Sequence, residues 1–377
     1  MRFTVDRDAL AEAVGWVARA LPSKPVLPVL SGMLLHAGPQ QLTLSCFDYD
    51  VSAIVTIEAE VAEPGAALVP GKLLAEITRS LPSHPALFAD DPDGIAITCG
   101  SAAFNLVSLP PDEYPALPEL PVLAGTVDGG EFAVAIGQIA PAASRDDTLP
   151  ILTGVNLEIS GAAITLVATD RYRLAMRELG WEPVSSDPLS LLVPARSMTD
   201  AARMMSAGTP VRIMLGADAG TDAMVGFDAG ERRLTTRLIA GEFIKYRSRF
   251  PAEFGCHAEL PAAGLAEALR RVSLVAEPGS PVRLSFGSGQ VTIEAGSKGH
   301  ARATETVPAE FTGDEPDIAF SPHYLLDGVL AANVAAVKAT EEGPAQIELD
   351  FTSSTKPAVI TGGEDFKYLV VPQRIYA

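Results

Sequence analysis

The sequence predicts an α+β protein made of three repeated domains, each with two helices packed on antiparallel sheets. Three observations predict it. A strand end followed by a proline and a helical pattern occurs three times. A pair of alternating runs joined by a glycine turn also occurs three times, each time behind an amphipathic helix. Both markers recur in one order along 377 residues, enough chain for two to four domains.

The first marker opens at Leu68-Val69-Pro70, Leu192-Val193-Pro194 and Ile318-Ala319-Phe320-Ser321-Pro322. Proline suits a first helical turn because that turn needs no N–H there. Helical patterns follow through Arg79, Met205 and Val337, and 124 residues separate Val69 from Val193 while 127 separate Val193 from Phe320. The second marker is Gly32–Leu35 with Leu42–Cys46, Gly154–Glu158 with Ile164–Val167, and Val282–Phe286 with Val291–Ile293. Period-two alternation across a glycine turn reads as a β-hairpin. The preceding helices are expected over Asp8–Ala20, Glu131–Ala143 and Ala262–Val275. A third marker, acidic and aromatic, is expected to close each unit at Asp112–Pro115, Gly241–Tyr246 and Glu364–Tyr368. The predicted domains are 1–122, 127–252 and 257–377.

The formal net charge of -19 argues against broad electrostatic adhesion to nucleic acid, which leaves a basic footprint. No apolar run reaches the roughly 18 residues of a membrane span, and the N-terminus does not read as a signal peptide, which points to the cytoplasm. The three cysteines (Cys46, Cys99, Cys256) are far apart and read as buried thiols. The five histidines fit no zinc spacing, no GxSxG elbow is present, and Pro70-Gly71-Lys72-Leu73 lacks the rest of a phosphate loop. No metal or cofactor is expected. A hydrolase built on Asp146, Asp147 or Asp170 is one competing reading and a purely structural ring is another. Arg171 and Arg173 beside Asp170 argue for a salt-bridged acid and against the first.

Residues 167–175 read VATDRYRLA, directly after the second hairpin. Together with Leu238–Phe243 before Tyr246-Arg247, and with the ending Tyr368–Ile375, this stretch resembles the bacterial DNA sliding clamp family, the β subunit of DNA polymerase III. The similarity extends over the whole chain. Leu30–Gly32, Ser45–Asp50 and Asp146–Gly154 look like clamps of high-GC Gram-positive bacteria. The resemblance implies a head-to-tail homodimer, a ring of six domains with helices lining the hole. Such a ring encircles duplex DNA without reading its sequence and tethers polymerase, clamp loader and repair proteins through short peptide motifs. It is a non-enzymatic role.

Topological binding needs only a modest cationic lining. The inner helices and adjoining loop offer Arg19, Lys24, Lys72, Arg79, Arg196, Arg203, Arg270 and Arg271, with Arg7 beside them. Nearby acids leave these helices near neutral, so the excess acid is expected elsewhere. The implied partner groove lies between the second and third domains. One wall takes Leu152, Thr169, Arg171, Tyr172, Arg173 and Leu174. Ile244 and Arg249 come from the segment after the middle domain's last strand. Leu369, Val371, Pro372, Gln373, Arg374 and Ile375 come from the C-terminus. The arginine stems are expected to line apolar surface with wet heads. At the dimer contact, Phe104 and Leu106 are expected to meet Leu274 of the other copy. The chain departs from the family at Ile244, Arg249 and Gln373, and Arg171 stands where a small residue is common. These changes imply a divergent second copy, whose reshaped groove resists a natural product that blocks such grooves.

Overall fold

The computed structural model of the chain describes residues 1–185, 187–205, 208–216, 223–296, 301–314, 317–339 and 343–374. The first repeat runs β1 (Arg2–Val5), α1 (Arg7–Val17), β2 (Gly32–Gly38), β3 (Gln41–Phe47), β4 (Val51–Glu58), β5 (Glu60–Glu63), β6 (Gly65–Pro70), α2 (Gly71–Ser80), β7 (Ala86–Asp91), β8 (Gly94–Cys99) and β9 (Ala102–Val107). The second keeps the same order: β10 (Val122–Asp128), α3 (Gly129–Ile139), β11 (Gly154–Ser160), β12 (Ala163–Thr169), β13 (Arg173–Gly180), β14 (Glu182–Pro183), β15 (Leu189–Pro194), α4 (Ala195–Ala202), β16 (Pro210–Leu215), β17 (Met224–Asp228) and β18 (Arg232–Arg237). The third does so again: β19 (Cys256–Pro261), α5 (Ala262–Val272), β20 (Val282–Gly287), β21 (Gln290–Gly296), β22 (Arg302–Pro308), β23 (Glu310–Thr312), β24 (Asp317–Phe320), α6 (Pro322–Ala339), β25 (Gln346–Phe351), β26 (Ala358–Thr361) and β27 (Phe366–Val370).

Local rules explain the helix starts. Asp6 caps α1, accepting the backbone N–H groups of Asp8 and Ala9 at 2.9 Å each. Pro70 and Pro261 occupy the caps of α2 and α5, and Pro322 begins α6, where no N–H is missed. Leu10, Ala13, Val14 and Val17 are buried along α1 at the three-and-four spacing of an amphipathic helix, with Trp16 buried beside them.

Sheet sharing follows one rule. The fourth strand of a repeat pairs with the ninth strand of the next. Thus β4 pairs with β18, setting Ala53 opposite Leu234, and β13 pairs with β27, setting Leu174 opposite Leu369. The result is two nine-stranded antiparallel sheets, β14-β10-β16-β17-β18-β4-β3-β2-β6 and β15-β11-β12-β13-β27-β26-β25-β19-β23. A five-stranded sheet, β5-β1-β7-β8-β9, and a four-stranded sheet, β22-β21-β20-β24, complete the set. One end of each of these sheets, β9 in the first and β22 in the second, has an edge without a strand partner among the described residues.

The contacts divide the chain into two compact units, Met1–Gly130 with Glu182–Ser185 and Asp200–Leu238, and Glu131–Trp181 with Ser186–Thr199 and Ile239–Ala377. Each holds one of the sheet junctions. In the first, Phe3 stacks on Phe88 at 4.8 Å, and Trp16 donates its indole N–H to the carbonyl of Asp200 at 3.2 Å. In the second, Phe286, Phe311 and Phe351 stack into one aromatic cluster. There α6 lies close on β27: a side chain at Gly328 would meet the Tyr368 ring at 2.5 Å. All three cysteines are buried and outside any disulfide.

One expected marker differs. Asp112–Tyr114 and Gly241–Tyr246 follow the last strands of their repeats, whereas Phe366 and Tyr368 lie inside β27 with their rings buried. The acid–aromatic spelling arises from a loop in two repeats and from a strand's inward alternation in the third.

Candidate functional site

The stretch VATDRYRLA is the turn between β12 and β13, within the second unit. Asp170 organises it: one carboxylate oxygen accepts the N–H groups of Tyr172 and Arg173 at 3.0 Å each, an Asx-type closure. The Thr169 hydroxyl accepts the N–H of Arg171 at 3.2 Å and donates to the Arg173 carbonyl. Arg171 sits at φ 83°, a conformation that costs a residue other than glycine.

Arg173 does not keep its head in water. Its side chain is 7% exposed. Nε donates to the second Asp170 oxygen at 3.0 Å, Nη1 to Asp327 of α6 at 2.5 Å and to the Tyr368 hydroxyl at 3.4 Å, and Nη2 to the Pro141 carbonyl. The guanidinium carbon lies 4.5 Å from the Tyr324 ring centre, within cation–π range. Burial alone would lower the guanidinium's affinity for its proton. Tyr368, Asp327 and Asp170 outweigh that and hold it charged. The same burial pushes the Tyr368 hydroxyl above the ordinary tyrosine value. The expectation of a wet arginine is thus corrected: a buried cation must have its donors filled, and here four elements fill them. Asp327, Tyr324 and Tyr368 were missed as partners of this residue.

The other elements assemble around this centre. Tyr172, 53% exposed, stacks on Tyr324 with ring centres 6.2 Å apart. The Tyr172 carbonyl accepts the Val371 N–H at 2.8 Å, and the Ala319 carbonyl accepts the Gln373 N–H at 2.7 Å, so the C-terminal segment is tied down on both sides. Leu174 and Leu369 are buried across from one another with Val167 and Tyr246. Tyr246 anchors the segment that carries Ile244 and Arg249. Its hydroxyl donates to Glu158 at 2.8 Å, Arg247 donates to the same oxygen at 3.0 Å, and burial followed by that hydrogen bond raises the Tyr246 pKa. Ile244 and Arg249 are left exposed at the surface of this segment. Leu152 is almost fully buried, Pro372 is half-buried, Arg374 is exposed, and Ile375 lies outside the described residues. A cavity of about 570 Å³ adjoins, lined in part by Tyr172, Ser273, Ser321, His323, Tyr324 and Gln373.

The expected DNA-facing cations are all exposed, on or beside α1, α2, α4 and α5. Arg7 is not free, since it is bonded to the Leu81 and Arg79 carbonyls. Arg271 is held by Glu305 at 2.6 and 3.1 Å and lies 3.6 Å from Glu267. Carboxylates crowd the strands instead. Glu310, Glu259 and Glu348 stand in one row on three neighbouring strands. Of the expected interface residues, Phe104 is 38% and Leu274 84% exposed, but Leu106 is 2% exposed. Leu106 is thereby corrected to a core residue: it shares a strand face with Phe104, but lies opposite the buried Ile95 of β8 and is covered within its own unit.

Three family profiles match in succession: DNA polymerase III beta subunit N-terminal domain over residues 1–118, central domain over 126–245, and C-terminal domain over 247–374. The chain belongs to this family. The beta sliding clamp of Streptomyces coelicolor is 46% identical across the full length of both chains, and the beta sliding clamp homolog GriR of Streptomyces muensis is 42% identical, again over both full lengths. A solved Pseudomonas aeruginosa sliding clamp, bound to griselimycin, superposes with a TM-score of 0.86 at 28% identity, each chain covered completely. As a sliding clamp, this chain has the three family domains as its three repeats, and the turn at 169–173 lies in the central one.

Proposed function

We propose that this chain is the processivity factor of a replicative DNA polymerase. Two copies close head to tail around duplex DNA, slide along it, and hold polymerase, clamp loader and repair proteins by short peptides. The observation that carries this is the sharing rule of the sheets. Fourth strands pair with ninth strands at both junctions inside the chain, which leaves β22, a fourth strand, and β9, a ninth strand. Pairing those two edges between copies satisfies the same rule and hides the open backbone, and two such contacts close a ring. Phe104 and Leu274 supply exposed apolar surface for it.

The domains we assign are 1–122, 127–252 and 257–377. The groove comprises Leu152, Thr169, Arg171, Tyr172, Leu174, Ile244, Arg249, Leu369, Val371, Pro372, Gln373, Arg374 and Ile375, with Arg173 beneath as its support. Arg19, Lys24, Lys72, Arg79, Arg196, Arg203, Arg270 and Arg271 form the lining toward DNA. The role is non-catalytic, needs no cofactor and belongs to the cytoplasm. Ile244, Arg249 and Gln373 reshape the groove, and we read the chain as a variant copy resistant to a groove-binding antibiotic; its 42% identity to a protein described as a beta sliding clamp homolog supports the variant-copy part of that reading. The deciding experiment loads the protein on nicked circular duplex DNA with a clamp loader. Retention until the circle is cut, followed by release from the ends, is expected. Retention after linearisation would show a grip on DNA that is not topological.

A further inference from the structure

The strained residue of the turn offers more than support. Among the described residues only Gln40, Tyr49 and Arg171 combine a side chain with positive φ. Tyr49 and Arg171 occupy the same place in the same turn. Asp48 accepts the N–H groups of Asp50 and Val51 as Asp170 accepts those of Tyr172 and Arg173. In the first repeat the Tyr49 ring packs on Phe47 at 5.5 Å, which offsets the strain. Arg171 has no such return. It is exposed, forms no ion pair among the described residues, and only brings its guanidinium carbon to 5.9 Å from the Tyr172 ring centre. Asp146 is held below the usual carboxylate range first by its hydrogen bonds from Thr148, with Arg171 last among the causes.

A glycine would adopt this turn without cost. What the arginine adds is a positive charge beside Tyr172, in a chain of net charge -19. Arg249 and Arg374 are exposed as well, and neither forms an ion pair among the described residues. Resting on the groove reading above, we propose that Arg171 is a specificity-determining residue: its charge selects peptide segments that carry carboxylates beside their apolar anchors. Its strained backbone persists because the charge is held outward by the Thr169–Asp170 turn.

Two fluorescein-labelled synthetic peptides test this, with the same Leu and Phe anchors and flanked by Asp-Asp in one and Asn-Asn in the other. They are titrated against the intact protein and its Arg171→Gly, Arg171→Gln and Arg171→Lys variants, at low and high salt, with thermal midpoints alongside. The unaltered protein is expected to bind the acidic peptide about fivefold more tightly at low salt, as complementary surface charge allows, and the gap closes in high salt. Arg171→Gly and Arg171→Gln lose the preference and Arg171→Lys retains it. Arg171→Gly melts higher than Arg171→Gln, since only glycine relieves the strain. Equal binding of both peptides by the unaltered protein, or a preference that survives Arg171→Gly, overturns the proposal while leaving the groove intact. Equal melting of the glycine and glutamine variants removes the strain argument and overturns it too. Failure of both peptides to bind the unaltered protein refutes the groove itself.

Discussion

Arg173 and Asp327, 154 residues apart in sequence, meet at 2.5 Å and join the turn after β12 to helix α6. This contact makes Arg173 a structural tie beneath the wall of the proposed groove, and its loss is a loss of structure first. Arg173→Ala is expected to destabilise the chain by about 3 kcal/mol, because it strands buried partners. Urea unfolding should register that loss, and peptide binding should fall with it. Arg173→Met, which keeps the stem, should cost less.

The Tyr246 hydroxyl holds the Ile244–Arg249 segment to Glu158. Tyr246→Phe removes one hydrogen bond and is expected to cost about 1 kcal/mol in unfolding free energy. Faster amide exchange confined to residues 243–250 would mark the released segment. Unchanged exchange there would show that the hydroxyl does not anchor it.

His257 on β19 lies 2.6 Å from Asp350 on β25, and that hydrogen bond raises the imidazole pKa above its ordinary 6.5, with Glu348 and Glu259 adding to the effect. A raised folded pKa stabilises fully below the unfolded value and is lost as pH rises through the folded one. Unfolding midpoints for the unaltered chain and His257→Gln should therefore differ most below pH 6.5 and converge as pH rises above it. His257 is about half-exposed, so the difference should be small and shrink with salt. A constant gap from pH 5 to pH 9 would rule the ion pair out as its source.

Leu274→Asp is expected to open the ring. The side chain is 84% exposed in the single chain, so the fold should survive and circular dichroism should be unchanged. Sedimentation should shift from dimer to monomer at micromolar concentration. A stable dimer would place the contact elsewhere.

Arg270 and Arg271 are neighbours with unlike prospects on DNA. Arg271 is already bonded to Glu305, so its charge is largely answered. Arg270→Ala is expected to shorten the residence of loaded clamp on circular DNA at low salt, and Arg271→Ala to change it little. Equal effects would show that the Glu305 pair opens on DNA.

Much of the fold was legible because its signals are local. Proline at helix starts and alternation across glycine turns mark the same places in all three repeats. The C-terminal marker misled because Phe366 and Tyr368 alternate within a strand, and spelling alone does not separate a strand from a loop. The turn at 169–173 was legible as a motif, but its chemistry was not. Leu106 reads as a surface edge residue until the sheet it belongs to is known.

The sequence by itself determined the threefold repeat, the positions of the helices and hairpins, and the family, since periodicity and turn chemistry act over a few residues. Only the tertiary structure decided that Arg173 is buried while Arg171 faces out, that Tyr324, Asp327 and Tyr368 surround Arg173, and that β9 and β22 keep an open edge among the described residues. An arginine's role depends on whether carboxylates and rings from distant strands and helices surround it. That is a matter of packing across more than a hundred residues of chain, which local pattern cannot carry.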